Sequence, residues 1–274
     1  MDRPPPEAAT RPLSFVAAAA WTLSVAILLG AMIAIVDAVH PGAFVDVVTV
    51  ATCKLLATLL VFFALLRVHE PESSIRRVLA LRRPPIIMVL LGGLVGAGLS
   101  PGAMWLDGVM ARRFPPTRQE TEAFEQIFTT EASGKKVALL LALVVVMPLC
   151  DELFFRGALF TPLKKGRRAE SVILATAAYD TLLAGASARD LAAMLGTALA
   201  IGWIRAVSGS VFPSIAARVA FFGVQVVPLV LAPQMNLPAP VAIGGLGIAV
   251  GSLAAIAAVG KRSARVLGAR LADG

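Results

Sequence analysis

Eight mostly apolar runs dominate the chain, at about residues 13–39, 47–68, 86–107, 137–163, 171–186, 191–207, 211–231 and 241–259. A membrane-spanning helix needs about 20 such residues, because the hydrocarbon core is about 30 Å thick and a helix rises about 1.5 Å per residue. Water is absent from that layer, so each segment must satisfy its own backbone, as a helix does. The expected fold is therefore all-α, a polytopic membrane bundle of about eight transmembrane helices. The fifth and sixth runs are short, which makes seven the competing count. The first run is too long for a signal-peptide core and lacks a small-residue cleavage site, so it reads as a retained span.

Composition supports this. Of 274 residues, 58% are hydrophobic and 15% charged, and the mean hydropathy is +0.82, figures that exclude a soluble domain, a disordered chain, a coiled coil or a disulfide scaffold. Cys53 and Cys150 both lie inside apolar runs and read as small core residues. The net charge of +8 does not imply nucleic acid, because Lys and Arg sit in short clusters between the runs. The implied environment is the lipid bilayer, with anionic headgroups as the electrostatic partner.

Three units are expected: a flexible N-terminal tail at 1–12, a transmembrane bundle at 13–260 and a basic cytoplasmic tail at 261–274. With eight crossings, the clusters around Arg76, Lys164 and Lys261 share one side with Arg205, leaving the smaller group around Arg112, Lys135 and Arg189 opposite. The larger group marks the cytoplasm, which places both termini there. Within the third connection, 111–136, Thr117-x-x-Glu120 precedes Ala123, Phe124, Ile127 and Phe128, a capping box leading an apolar stripe. A short interfacial helix is expected there. Gly92-x-x-x-Gly96 and Gly247-x-x-x-Gly251 would let helices approach closely, within one bundle or between two copies.

Ionisable side chains deep in a span cost a few kcal/mol each, so each is a functional candidate. Asp151, Glu152 and Arg156 stand in the fourth run, Asp180 in the fifth and Arg218 in the seventh. Counted from the nearest cytoplasmic flank, they lie about 12–20 Å deep, in one layer. Glu152 and Arg156 are four apart with the acid first, the favourable order for a same-face ion pair. Pro148 removes a helix donor and is expected to kink the span. Lys54, about 10 Å inside the second run, is expected to snorkel toward Asp37 or Asp46. Tyr179 is expected to pack, with donation to the charged layer as the alternative.

The string 147–157, Met-Pro-Leu-Cys-Asp-Glu-Leu-Phe-Phe-Arg-Gly, resembles the Glu-Glu-x-x-x-Arg signature of the CAAX prenyl protease and bacteriocin-processing (CPBP, or Abi) family of intramembrane endopeptidases. The stretch 204–215 resembles the segment leading into that family's last signature, and together the likeness covers about residues 137–231. The resemblance implies an α bundle whose site combines the acidic pair, a His in a Phe-x-x-x-His segment and a His-x-x-x-Asn/Asp segment. These would activate a water, with or without a metal. In this chain the first Glu is Asp151, the second segment reads Thr176 to Asp180 and the last begins at Arg218, so both histidines and the Asn are replaced.

The chain's two histidines, His40 and His69, stand at span ends, and three carboxylates alone make a poor zinc set. No metal or other cofactor is expected. No Ser-His-Asp or Cys-His nucleophile can be assembled either. The charges are expected to form ion pairs, Glu152 with Arg156 and Asp180 with Arg218, leaving Asp151 unpaired and open to protonation. The expected function is a non-catalytic membrane scaffold or a relative that binds a membrane-anchored peptide or protein. The alternative is an active, divergent intramembrane peptidase in which Asp151 or Glu152 shares a proton with Asp180. Transport is disfavoured by the lack of an internal repeat.

Overall fold

The computed structural model describes residues 13–128, 133–185, 187, 189–231 and 239–272. Its elements are α1 (Phe15–Val39), α2 (Val47–His69), the single turn α3 (Ile75–Val78), α4 (Ile86–Ala111), α5 (Arg118–Phe128), α6 (Gly134–Lys164), α7 (Ala169–Leu183), α8 (Leu191–Ser208), α9 (Phe212–Leu231) and α10 (Ala239–Ala272). No strand occurs among the described residues.

Seven of these helices, all but α3, α5 and α7, are long and apolar enough to cross a membrane. The fifth expected run is the 15-residue α7, which reaches only about 22 Å at about 1.5 Å per residue. The chain from Arg167 to Arg189, which includes it, nevertheless passes from one end of the bundle to the other. At its start, Arg167 donates to the carbonyls of Leu13, at 2.6 Å, and Leu163, at 3.0 Å. At its end, Arg189 meets Asp107 near the close of α4 at 3.0 Å. The start of α1, the end of α2, the start of α4 and the end of α8 share the Arg167 end, where Lys165 pairs with Glu70, and Ser210 donates to the Arg82 carbonyl at 2.7 Å. Basic residues read as flank markers thus also fasten loops.

Helix starts follow local chemistry. The Ser14 hydroxyl accepts from the Ala17 N–H at 3.0 Å, and the Asp46 carboxylate accepts from the Thr49 N–H at 3.3 Å. Each satisfies a donor that the first turn leaves free. The expected capping box is present at α5, where Glu120 N–H donates to the Thr117 hydroxyl at 3.2 Å and Thr117 N–H donates to the Glu120 carboxylate at 2.6 Å. That bond, together with the Thr117 hydroxyl, holds the Glu120 carboxyl below its usual pKa. At the other terminus α10 continues to Ala272, past the point where a flexible basic tail is expected, because the residues there are mostly helix formers. The tail expected at 1–12 lies outside the described residues.

α4 is the hub. A Cβ at Gly92 would stand 2.3 Å from the Pro213 carbonyl oxygen, and one at Gly96 1.8 Å from that of Ala217, so only glycine lets α9 lie so close. Gly98 and Gly245 make a similar approach between α4 and α10. Gly247 and Gly251 meet nothing within 4 Å, so the second small-residue spacing does not pack inside the bundle as the first does. Around this hub, Val95, Ile201, Ile204, Ala217 and Ile256 form one core, while Val25, Phe62, Leu65, Phe154, Phe155 and Val172 join α1, α2, α6 and α7 in another. Cys53 and Cys150 are both buried and free. Large apolar side chains such as Ile27, Leu60, Ile243 and Val250 point outward, as a lipid-facing surface requires.

Candidate functional site

α6 carries the first charged cluster and is not a simple kinked helix. Leu141–Val146 and Glu152–Leu159 are wound as π-helix, with an α-helical turn, Met147–Asp151, between them. Pro148 stands in that turn, and the wide turns take up the register change that its missing N–H and bulky ring would otherwise force as a sharp bend. Glu152 and Arg156 are 0% exposed, Asp180 on α7 is 3% exposed and Arg218 on α9 is 6% exposed. The sequence-derived layer therefore exists, with the charges from three helices brought together.

Their pairing differs in part from the expected one. Arg218 pairs with Asp180 as expected, but its Nε also donates to Glu152 Oε1 at 2.7 Å. Arg156 turns away from its own helix: Nη1 donates to Asp180 and Nη2 to the Ala198 carbonyl at 2.7 Å. Its distance to Glu152 is 3.8 Å, so the same-helix pair is the loosest contact of the four charges. Neighbouring helices offer each group a shorter reach than the i,i+4 spacing does. Glu152 Oε2 and Arg156 Nε are the atoms of this network left without a hydrogen-bond partner among the described residues.

Asp151 is not unpaired. Lys54 of α2 lies 2.7 Å from its Oδ1, with the two side chains 14% and 13% exposed. Lys54 therefore does not snorkel toward Asp37 or Asp46. Asp37 accepts from the backbone of Gly42 and Ala43, at 2.8 and 2.9 Å, while Asp46 caps α2. Three acids thus face three bases, and a fourth base lies beside them. Arg205, taken from sequence as a flank residue, is also buried; its Nε donates to the Arg156 carbonyl at 2.9 Å, and its guanidinium lies 5.0 Å from the Phe160 ring centre. Tyr179 does not join the layer and donates instead to the Phe15 carbonyl at 2.9 Å. The position of Lys54, seven residues inside an apolar run, was the one sequence signal for its role.

Chemically the arrangement is closed. The cavity touching Asp180 and Arg218 is about 20 Å³, with Thr181, Thr197, Met194, Phe221 and Phe222 completing its wall. That is room for about one water molecule. Guanidinium groups take one oxygen of each carboxylate, Asp180 Oδ2 and Glu152 Oε1. Among the described residues no three His, Cys, Asp or Glu side chains gather as metal ligands would. His69 stands apart, accepting from the Trp21 indole N–H at 3.1 Å.

Comparison with curated proteins and with solved structures finds no match. A family comparison does, for the segment that carries three of the four helices contributing to the buried layer. Residues 133–223, about a third of the chain from the start of α6 into α9, match the family described as Type II CAAX prenyl endopeptidase Rce1-like, the CPBP-type family that the 147–157 string resembles.

Proposed function

We propose that this protein is a non-catalytic relative of the CPBP-type membrane endopeptidases, in which the charged layer fastens the bundle and the molecule serves to bind or scaffold a membrane-anchored peptide or protein. The observation that carries the reading is the pairing of every acid in the layer: Asp180 with Arg156 and Arg218, Glu152 with Arg218, and Asp151 with Lys54. A general base must accept a proton from water, and a carboxylate committed to a guanidinium is a poor one. The proton-sharing dyad needs a neutral carboxyl beside an ionised one, which two adjacent arginines oppose. The reading includes an inner-membrane location in a bacterium with both termini cytoplasmic, in keeping with the basic residues at the bundle end that holds Arg167 and Lys165.

The test is a turnover assay. Purified protein in bilayers is incubated with a panel of prenylated and otherwise membrane-anchored peptides, beside a Glu152→Gln variant. No cleavage by the native chain is expected. Cleavage that disappears in Glu152→Gln, Asp151→Asn or Asp180→Asn would replace this reading with that of a divergent peptidase.

A further inference from the structure

The polar side chains around the cavity of about 20 Å³ at Asp180 and Arg218 are themselves buried: Asp180, Thr181, Thr197 and Arg218 are at most 7% exposed. Three polar atoms there have no hydrogen-bond partner among the described residues. Both arginines that reach Asp180 donate to Oδ2, which leaves Oδ1. Arg218 commits Nε to Glu152 and Nη2 to Asp180, which leaves Nη1. The third is the hydroxyl of Thr197 on α8. Thr22, Thr176 and Thr181, buried in other helices, each donate to the carbonyl four residues back, at 2.9–3.0 Å. Thr197 does not make that bond, which a helical threonine usually finds.

Glu152 Oε2 and Arg156 Nε also lack partners but are fully enclosed, whereas these three atoms keep access to the cavity. They offer one acceptor, one donor and one hydroxyl that can do either. Buried polar groups are costly to leave unmet. A small neutral molecule that both donates and accepts meets all three. An anion would lie against Asp180 Oδ1, and a cation against Arg218 Nη1. The volume exceeds the about 10–15 Å³ that one water requires and leaves no room for an organic group.

We propose that this cavity is a binding site for one ordered water, which donates to Asp180 Oδ1, accepts from Arg218 Nη1 and shares a hydrogen bond with the Thr197 hydroxyl. The water ties α8 to the ion pair between α7 and α9, three bonds being the usual number for a buried water. Met194, Phe221 and Phe222 stand between it and a larger hollow of about 410 Å³ at the bundle end that holds Asp107 and Arg189. Exchange with bulk solvent runs through that hollow. The inference goes beyond the non-catalytic reading and stands apart from it. Peptide cleavage in the assay above would overturn that reading and leave the water in place, while a dry cavity would leave the ion pairs as they are.

The test begins with a crystal structure of the native full chain, grown from lipid with bromide as the added anion, at a resolution that shows ordered waters. One density peak is expected at about 2.7–3.2 Å from all three atoms, without anomalous scattering at the bromide edge. Anomalous density would make this an anion site, and no peak would show the cavity dry; either result overturns the proposal. Silver protection reads hydration in solution. In a Cys53→Ala/Cys150→Ala background, Thr197→Cys and Thr176→Cys are treated with silver ion, denatured and labelled with a maleimide. Silver is no larger than water and takes the thiolate, a form that apolar burial suppresses. Thr176 is fully buried and lies off the cavity. Thr197→Cys should therefore end with at least about tenfold less label than Thr176→Cys. Equal labelling would overturn the proposal, and the native structure decides whether or not either variant folds.

Discussion

Replacing Arg218 by Met removes one of four charges that sum to zero inside the bundle. In the native chain its guanidinium serves Asp180 and, at 2.7 Å, Glu152. After substitution both carboxylates depend on Arg156, which is 3.8 Å from Glu152, and one net negative charge is left where no side chain is more than 7% exposed. Leaving a buried charge uncompensated costs about 3–5 kcal/mol. A second route gives the same size: the variant can shed the charge by protonating one carboxyl, which for a group of ordinary pKa near 4 costs about 4 kcal/mol at pH 7, at about 1.4 kcal/mol per pH unit. The loss should therefore shrink by roughly that amount for each unit the pH is lowered toward 5. Asp180→Asn is the converse case. It leaves an excess positive charge on arginines, which do not deprotonate, so its loss should not be relieved by acid. The double variant Asp180→Asn/Arg218→Met restores neutrality through Glu152 and Arg156 and should lose less than the two single losses combined, by about 2 kcal/mol. Thermal unfolding of detergent-solubilised protein at two pH values reads all of this, with a drop of about 10 °C expected for each single variant at about 2–4 °C per kcal/mol. Single variants that melt like the native chain, or losses that simply add, would refute the reasoning.

Other consequences are simpler. Lys54→Met should cost about 2 kcal/mol by leaving Asp151 without its partner, and adding Asp151→Asn should restore most of the loss in the same melting assay. Gly96→Ala should force α4 and α9 apart and cost about 1–3 kcal/mol, while Gly93→Ala and Gly247→Ala, which meet nothing within 4 Å, should be nearly neutral. The Glu120 carboxylate is held below its ordinary value of 4.5 by its bond from Thr117 N–H. Its contribution to α5 is thus fully present above that value and is lost as pH falls through the lower, folded one. Amide hydrogen exchange along α5, corrected for intrinsic rates, should show that loss of protection in the native chain and not in Glu120→Gln.

Much of the fold is legible in the sequence because lipid imposes a length rule on every crossing and because caps such as Ser14, Asp46 and Thr117 with Glu120 act through neighbours in the chain. Five members of the charged layer were likewise legible: Asp151, Glu152, Arg156, Asp180 and Arg218 occupy motif positions, and all are buried or nearly so. Who pairs with whom was not. The spacing of Glu152 and Arg156 identifies a same-helix neighbour, whereas the shorter reaches to Asp180 and Arg218 exist only once α6, α7 and α9 are packed. Lys54 shows the same limit, since a lysine seven residues into a span can snorkel outward or pair inward, and only the packing of α2 against α6 decides. Identical glycine spacings at 92/96 and 247/251 have opposite fates for the same reason: a motif states that an approach is allowed, and the neighbour that uses it comes from the whole fold.

The central claim is that the buried acids are ionised and neutralised by arginine and lysine and do not share a proton for catalysis. Infrared absorption of the protonated-carboxyl C=O stretch, measured at neutral pH on the native chain and on Glu152→Gln, Asp151→Asn and Asp180→Asn, tests it directly. The account predicts that none of the three substitutions removes a protonated-carboxyl band. A band present in the native protein and lost in any one of these variants would contradict it.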